Sequence, residues 1–270
     1  MGHIETALSR MGGLDEMALR DTPAARLDPR AKVAATLAFV VVVASFGRLD
    51  LGRLAPLATF PLIMAPLGDV PWRPILVRLA LASPFALAVA ILEPFLDRAP
   101  VTALGSLTIS GGMLAALVIM AKFSLSLCAA LLLVATTGFD AVCLALSRLG
   151  VPRVLVAQLS LTYRYLFVLC EEASRMVRAH RFRAPDSRHP TPRMAGALLG
   201  HLLLRATARA ERVHTAMRAR GFDGTLPVRR RWHFGRRDVV FAGAVFLLLV
   251  ATRTLDVPGL VSAALSGSSP

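Results

Sequence analysis

Five apolar runs recur in series along this chain, and their recurrence constrains the fold more than any single run does. They are 33–46 (VAATLAFVVVVASF), 54–68 (LAPLATFPLIMAPLG), 75–92 (ILVRLALASPFALAVAIL), 113–136 (MLAALVIMAKFSLSLCAALLLVAT) and 239–252 (VVFAGAVFLLLVAT). A helix that crosses the hydrocarbon layer needs about 20 residues. The run 113–136 reaches that length alone. Three of the others are shorter and must recruit flanking residues or sit in a thinned bilayer. Composition agrees with the runs: 55% of the residues are hydrophobic and the mean hydropathy is +0.60, above an ordinary soluble domain. The expected fold class is an all-α integral membrane protein with about five transmembrane helices. The expected organisation is an N-terminal segment 1–30, a four-helix membrane region 31–137, a cytoplasmic or interfacial module 138–237, a last transmembrane helix 238–254 and a tail 255–270.

Charge is unevenly spread. The segment 138–237 holds 19 of the 31 Lys and Arg but only 6 of the 17 Asp and Glu, so it carries nearly all of the net +14. If that segment is cytoplasmic, the positive-inside rule is strongly satisfied. With four spans before it, the N-terminus is also inside, and ARLDPRAK adds basic residues there. The loop 93–112 is then outside, as is GRLDLGR at 47–53, which is not poor in Arg. Five spans leave the C-terminus outside. Within the runs, Arg78 lies close enough to a helix end to snorkel. Lys122 sits well inside the fourth run. There it reads either as a functional intramembrane charge or as a snorkelling or helix-pairing residue. Pro56, Pro61, Pro66 and Pro84 would kink helices, which membrane bundles tolerate.

The basic segment has helical order. FDAVCLALSRLG is short and amphipathic and stops at Gly150. A helix then runs from Pro152 to about Ala184. Its stretch 154–170 could pass for a sixth span, but Gln158 and Arg164 argue for a helix at the membrane face. Pro185, Pro190 and Pro192 break it. A second helix runs from about Arg193 to Arg220, with Gly221 as its stop. Met194, Leu198, Leu202 and Ala206 form one row, continued by Val213 and Met217, while Arg205, Arg209 and Arg212 form another stripe.

The ends of these two helices repeat. A shift of 40 residues lays Glu171 on Glu211, Arg178 on Arg218, Ala179 on Ala219 and Phe182 on Phe222. Cations near a helix C-terminus complement the backbone dipole, so solvated capping is one reading. A pair of tips that plug into an acidic groove on a partner is the other.

With these residues in view the chain resembles the transmembrane T subunit of energy-coupling-factor (ECF) transporters. The resemblance covers about 25–253. RLDPRAK at 26–32 looks like the family's entry motif. Ala219-Arg220-Gly221 matches the second of its two Ala-Arg-Gly signatures. The first is degenerate: Ala179-His180-Arg181 carries His for Arg and Arg for Gly, leaving His180, Arg178 or Arg181 to make the upstream contact. LSRLGVPRVLVAQLSLTYRYLFVLCEEASRMVRA and ARAERVHTAMRARGFDGTLP are similar to the cobalt-type branch, the CbiQ family.

That resemblance implies a function and partners. The module 138–237 would hold long crossed coupling helices. Their tips, with Arg218 beside the second signature, would dock on two copies of an ABC-type ATPase. A separate metal-capturing membrane subunit would hold the substrate, a divalent metal ion and most directly cobalt, and a small accessory membrane protein is compatible with such an assembly. Nickel or vitamin importers use similar T subunits. The chain would hydrolyse nothing, need no cofactor and sit in the bacterial inner membrane.

Two other classes fit parts of the sequence. A membrane enzyme with a basic lipid- or phosphate-binding face fits the Arg density but shows no catalytic constellation. A nucleic-acid binder fits the charge but shows no recognition motif, so no nucleic acid is expected. No GxxxxGK[ST] loop is present, so ATP binding by that route is not expected. His3, His180, His189, His201, His214 and His233 form no HExxH or Cys/His cluster. Cys128, Cys143 and Cys170 have no paired spacing and read as small buried hydrophobes. The first 30 residues show no secretory leader.

Overall fold

The computed structural model describes residues 17–18, 20–96, 100–104, 107–183, 191–224 and 235–254. They fall into two compact units. One combines 17–138 with 235–254, and the other is 139–224.

The first unit is a helical bundle. It contains α1 (Pro29–Ser45), a helical turn Leu51–Leu54 running through the 3-10 turn Ala55–Ala58 into α2 (Thr59–Leu67), α3 (Trp72–Leu96), α4 (Gly111–Thr137) and α8 (Arg236–Thr254). Pro56 falls in the 3-10 turn, which breaks the second apolar run into pieces. Pro84 by contrast stays inside α3. A small antiparallel hairpin, β1 (Pro100–Leu104) with β2 (Leu107–Ser110), joins α3 to α4. It is the only departure from an all-helical fold among the described residues.

The core lies where α1, α2 and α4 meet. Lys32, Thr36, Phe39 and Val43 form one buried row of α1, spaced as one face of a helix. Phe39 stacks on Phe60 of α2 at 4.6 Å between ring centroids. The opposite side of α1 is also apolar, with Leu37 and Val41 exposed. On α3, Leu81 and Phe85 are each 76% exposed. Helices apolar all round belong in hydrocarbon rather than water. Among the described residues, three helices are long and apolar enough to cross a membrane: Trp72–Pro94, Gly111–Thr137 and Arg153–Arg183. The chain is an all-α, multi-pass membrane protein.

Polar contacts fix the direction of the bundle's helices. Asp28 caps α1, its Oδ1 accepting from the Arg30 N–H at 2.9 Å, and Pro29 occupies the first helical position, where a missing N–H costs little. Asp238 accepts from the Asp28 N–H at 2.6 Å and from the Gly235 N–H at 2.8 Å. One carboxylate therefore staples the N-termini of α1 and α8 together. The Lys32 Nζ donates to the Thr136 carbonyl near the end of α4 at 3.0 Å. Gly68, just past α2, lies against Thr136 so closely that a Cβ there would stand 2.4 Å from its methyl. The starts of α1 and α8 and the ends of α2 and α4 thus share one end of the bundle.

The opposite end of α1 is closed by cations. The Lys122 Nζ donates to the carbonyls of Phe46 at 2.6 Å and Ala44 at 3.3 Å. Arg253 donates to the Ser45 Oγ at 3.3 Å and lies 5.6 Å from the Phe46 ring centroid. The last carbonyls of a helix lack intrahelical partners, and positive charge is favoured there. Of the two sequence readings of Lys122, the structure supports the second: it pairs with a neighbouring helix end.

The second unit consists of α5 (Phe139–Arg148), α6 (Arg153–Arg183) and α7 (Pro192–Ala219). Gly150, at φ +102°, ends α5, and the Val151 N–H returns to the Leu146 carbonyl. The α5 face carrying Ala141, Cys143 and Ala145 is buried. Phe139 stacks on Tyr163 of α6 at 4.2 Å, and Tyr163 meets Phe167 edge-on. Burial pushes the Cys143 thiol above its usual range, which keeps it protonated and inert.

Candidate functional site

The tip of α7 is built by its sequence. Thr191 caps the start, accepting from the Met194 N–H, and Pro192 takes the first position. The far end closes in a Schellman motif. The Phe222 N–H donates to the Met217 carbonyl and the Gly221 N–H to the Arg218 carbonyl, both at 3.0 Å. Gly221 has φ +73°, and an added Cβ would meet nothing within 4 Å. The glycine is thus required by backbone conformation, not by lack of space. Met217 and Phe222 fold back toward α6, the apolar contact that accompanies this motif. The turn leaves Arg218, Ala219 and Arg220 exposed, and Arg220 has no ion pair among the described residues. A flexible guanidinium is therefore presented on a rigid turn.

The upstream copy does not end in the same way. At Arg181, where the repeat would place glycine, α6 continues in helix to Arg183. Ala179, His180 and Arg181 therefore lie in a last helical turn and not in a cap. Ala179 is exposed, while Arg178, His180 and Arg181 are half-buried. The Arg181 Nε is enclosed without a hydrogen-bond partner. Phe182 is 87% exposed, whereas its counterpart Phe222 is folded back. The sequence repeat is preserved in helix phase and lost in the cap.

The two tips are held apart. An apolar groove of about 690 Å³ is lined by Val154 near the start of α6 and by Phe222 and Gly224 past the end of α7. The helices are therefore antiparallel. Leu169 and Ala206 line both this groove and a second, polar recess of about 400 Å³, which places the crossing near them. His180 is eleven residues beyond Leu169, and Arg220 fourteen beyond Ala206. At about 1.5 Å per residue the tips stand about 16 Å and about 21 Å from the crossing, on opposite sides.

A family model described as CbiQ, cobalt transport protein, matches residues 20–232. That stretch includes the RLDPRAK entry, the crossed pair α6 and α7, and the Arg220 tip. The chain belongs to the CbiQ family. The family is described as one of cobalt transport proteins, and this chain is a membrane member of it. Similar proteins include an uncharacterized protein of Methanocaldococcus jannaschii, 39% identical over 79 residues, which is 29% of this chain and 30% of the relative. The cobalt transport protein CbiQ of Rhodobacter capsulatus is 38% identical over 84 residues, 31% of this chain and 34% of that one. A second uncharacterized M. jannaschii protein is 28% identical over 121 residues, 44% and 40% of the two chains. These matches span about a third of the length of the curated relatives.

The structure also assigns a role to a residue that the sequence does not single out. Glu172 joins the two helices. Its Oε1 accepts from Arg205 of α7 in a short ion pair, and its Oε2 accepts from Arg175 at 3.0 Å. The sequence placed Arg205 on a polar stripe but gave it no partner. The available signal was composition: Glu171 and Glu172 are the only carboxylates in α6. Among the described residues no group of three or more His, Cys, Asp or Glu side chains is placed to hold a metal.

Proposed function

We propose that this chain is the T subunit of an ECF-type importer for a divalent metal ion, with cobalt the first candidate and nickel the alternative. Two copies of an ABC-type ATPase would sit under α6 and α7, one at each tip, and a separate metal-capturing membrane subunit would hold the ion. The observation that carries this reading is the pair of tips set on opposite sides of one helix crossing, one of them an exposed Arg on a Schellman turn. Two separated tips suit two like surfaces. An Arg fork suits carboxylate recognition, because its bidentate contacts fix orientation as well as attraction.

Sidedness supports the same assignment. Residues 138–235 leave the bundle at the end of α4 and return at the start of α8, and both lie at the end where α1 begins. An even number of crossings must separate them. Either both α6 and α7 cross, or neither does. The Arg205, Arg209, Arg212 stripe of α7 makes a crossing costly. We therefore place both helices on the cytoplasmic side of the inner membrane and count five spans, although α6, unlike α7, is long and apolar enough to cross.

The test is co-expression with an ATPase and a metal-capturing subunit. A charged hydrogen bond contributes about 1.5–3 kcal/mol, so Arg220→Glu should reduce ATPase co-purification by about tenfold or more and abolish ATP-driven cobalt uptake, with membrane insertion intact. Unchanged co-purification and uptake would sink the reading.

A further inference from the structure

We propose that Glu172 is the clamp that sets the crossing of α6 and α7, and so the positioning residue that fixes the spacing of the two tips. This rests on the T-subunit reading for its functional consequence but not for its geometry.

Apolar packing between the two helices is thin. No residue of α7 is buried, and α6 buries only Ala157 and Ser174. The groove beside the crossing is open along its apolar wall, with Val154 74% exposed. Dispersion and burial therefore do little to choose one crossing angle over another. A directional contact is needed, and Glu172 supplies it. Both its oxygens are engaged. Arg175 holds Oε2 at 3.0 Å and is itself steadied by Glu171 at 3.5 Å. That local pair fixes the carboxylate's rotamer and leaves Oε1 aimed across the crossing at Arg205. The Glu172 side chain is 18% exposed, so water screens this pair less than a surface ion pair.

The neighbouring charges make the choice specific. Arg209 and Arg212 line the same recess as Glu172 and Arg205, yet neither has an ion pair among the described residues. Glu172 is the one carboxylate in the recess facing three arginines. Truncating it would remove this ion pair between the helices and leave like charges together.

Glu172 lies beyond the apolar stretch of α6, and the Arg205 and Arg175 guanidiniums hold its carboxyl below the usual 4.5. A carboxyl with a depressed folded-state value contributes above its unfolded value and loses that contribution as pH falls through the folded value. The Glu172 carboxylate should therefore keep its charge from neutral down to about 5.

The experiment uses the full chain with its native cysteines replaced. Spin labels stand at Phe182→Cys and Thr215→Cys, two exposed positions on opposite arms of the crossing. The wild-type background should give a single narrow distance distribution at neutral pH. Glu172→Gln and Arg205→Gln should each broaden it at least about twofold, and the swap E172R/R205E should narrow it again. Arg209→Gln should leave it unchanged. In the assembled transporter, Glu172→Gln should keep ATPase association but cut uptake per ATP hydrolysed about tenfold, with the swap restoring it. A distribution as narrow in Glu172→Gln as in wild type overturns the clamp. So does a swap that stays broad while the protein elutes as one folded species. If Glu172→Gln broadens the distances while Arg220→Glu leaves ATPase association untouched, the clamp stands and the T-subunit reading falls.

Discussion

Gly221 and Arg181 occupy equivalent places in the repeat, and the difference between them explains why the two tips are unlike. Gly221 takes φ +73° without strain. A residue with a Cβ pays about 1–2 kcal/mol in that region, so at Arg181 the chain stays in helix for another turn. Gly221→Ala should therefore weaken the turn without any clash, since nothing stands near the new methyl. The expected result is faster amide exchange at position 221 and at Phe222, by about fivefold to thirtyfold, with the rest of α7 protected as before. The glycine stop was readable from sequence, because a helix stop is a local property. The enclosure of the Arg181 Nε was not, because it depends on the environment around the last turn of α6.

At the scale of elements, the helix ends decide more than the helix faces. The apolar faces of α1, α3 and α4 are interchangeable in composition, and their periodicity is nearly featureless. What orders them is a small set of polar side chains at termini: Asp28 and Asp238 at one end of the bundle, Lys122 and Arg253 at the other. Lys122→Met keeps most of the side chain's length but leaves the Phe46 and Ala44 carbonyls without this donor. Each lost partner costs about 1–3 kcal/mol. The variant should unfold at lower temperature in detergent, while cobalt uptake per folded transporter stays near that of wild type. A complete loss of uptake at wild-type stability would instead make Lys122 a transport residue. The sequence showed a lysine within an apolar run. The end of α1, 76 residues away, gives it a role.

For the whole molecule, the proposed five-span sidedness predicts a labelling pattern. Arg48, at the α1–α2 loop, is 80% exposed on its side chain. Arg48→Cys should react with a membrane-impermeant maleimide from outside, and Phe182→Cys and Thr215→Cys only in inside-out vesicles. If Phe182→Cys labelled from outside, α6 would cross the membrane. The sequence by itself determined the apolar runs, the all-helical class, the long helix from about Arg193 that Gly221 closes, and the concentration of arginine in 138–237. All of these rest on spacing of a few residues or on composition. The tertiary structure decided which charges meet. Asp238 reaches a backbone 210 residues away, Lys32 one 104 away, and Glu172 a guanidinium 33 away. Such pairs leave no periodic trace in the chain, because a carboxylate that staples two helices has the same local sequence as one that faces water. Burial, which only the folded packing creates, turns these few contacts into the features that orient the bundle and cross the two helices.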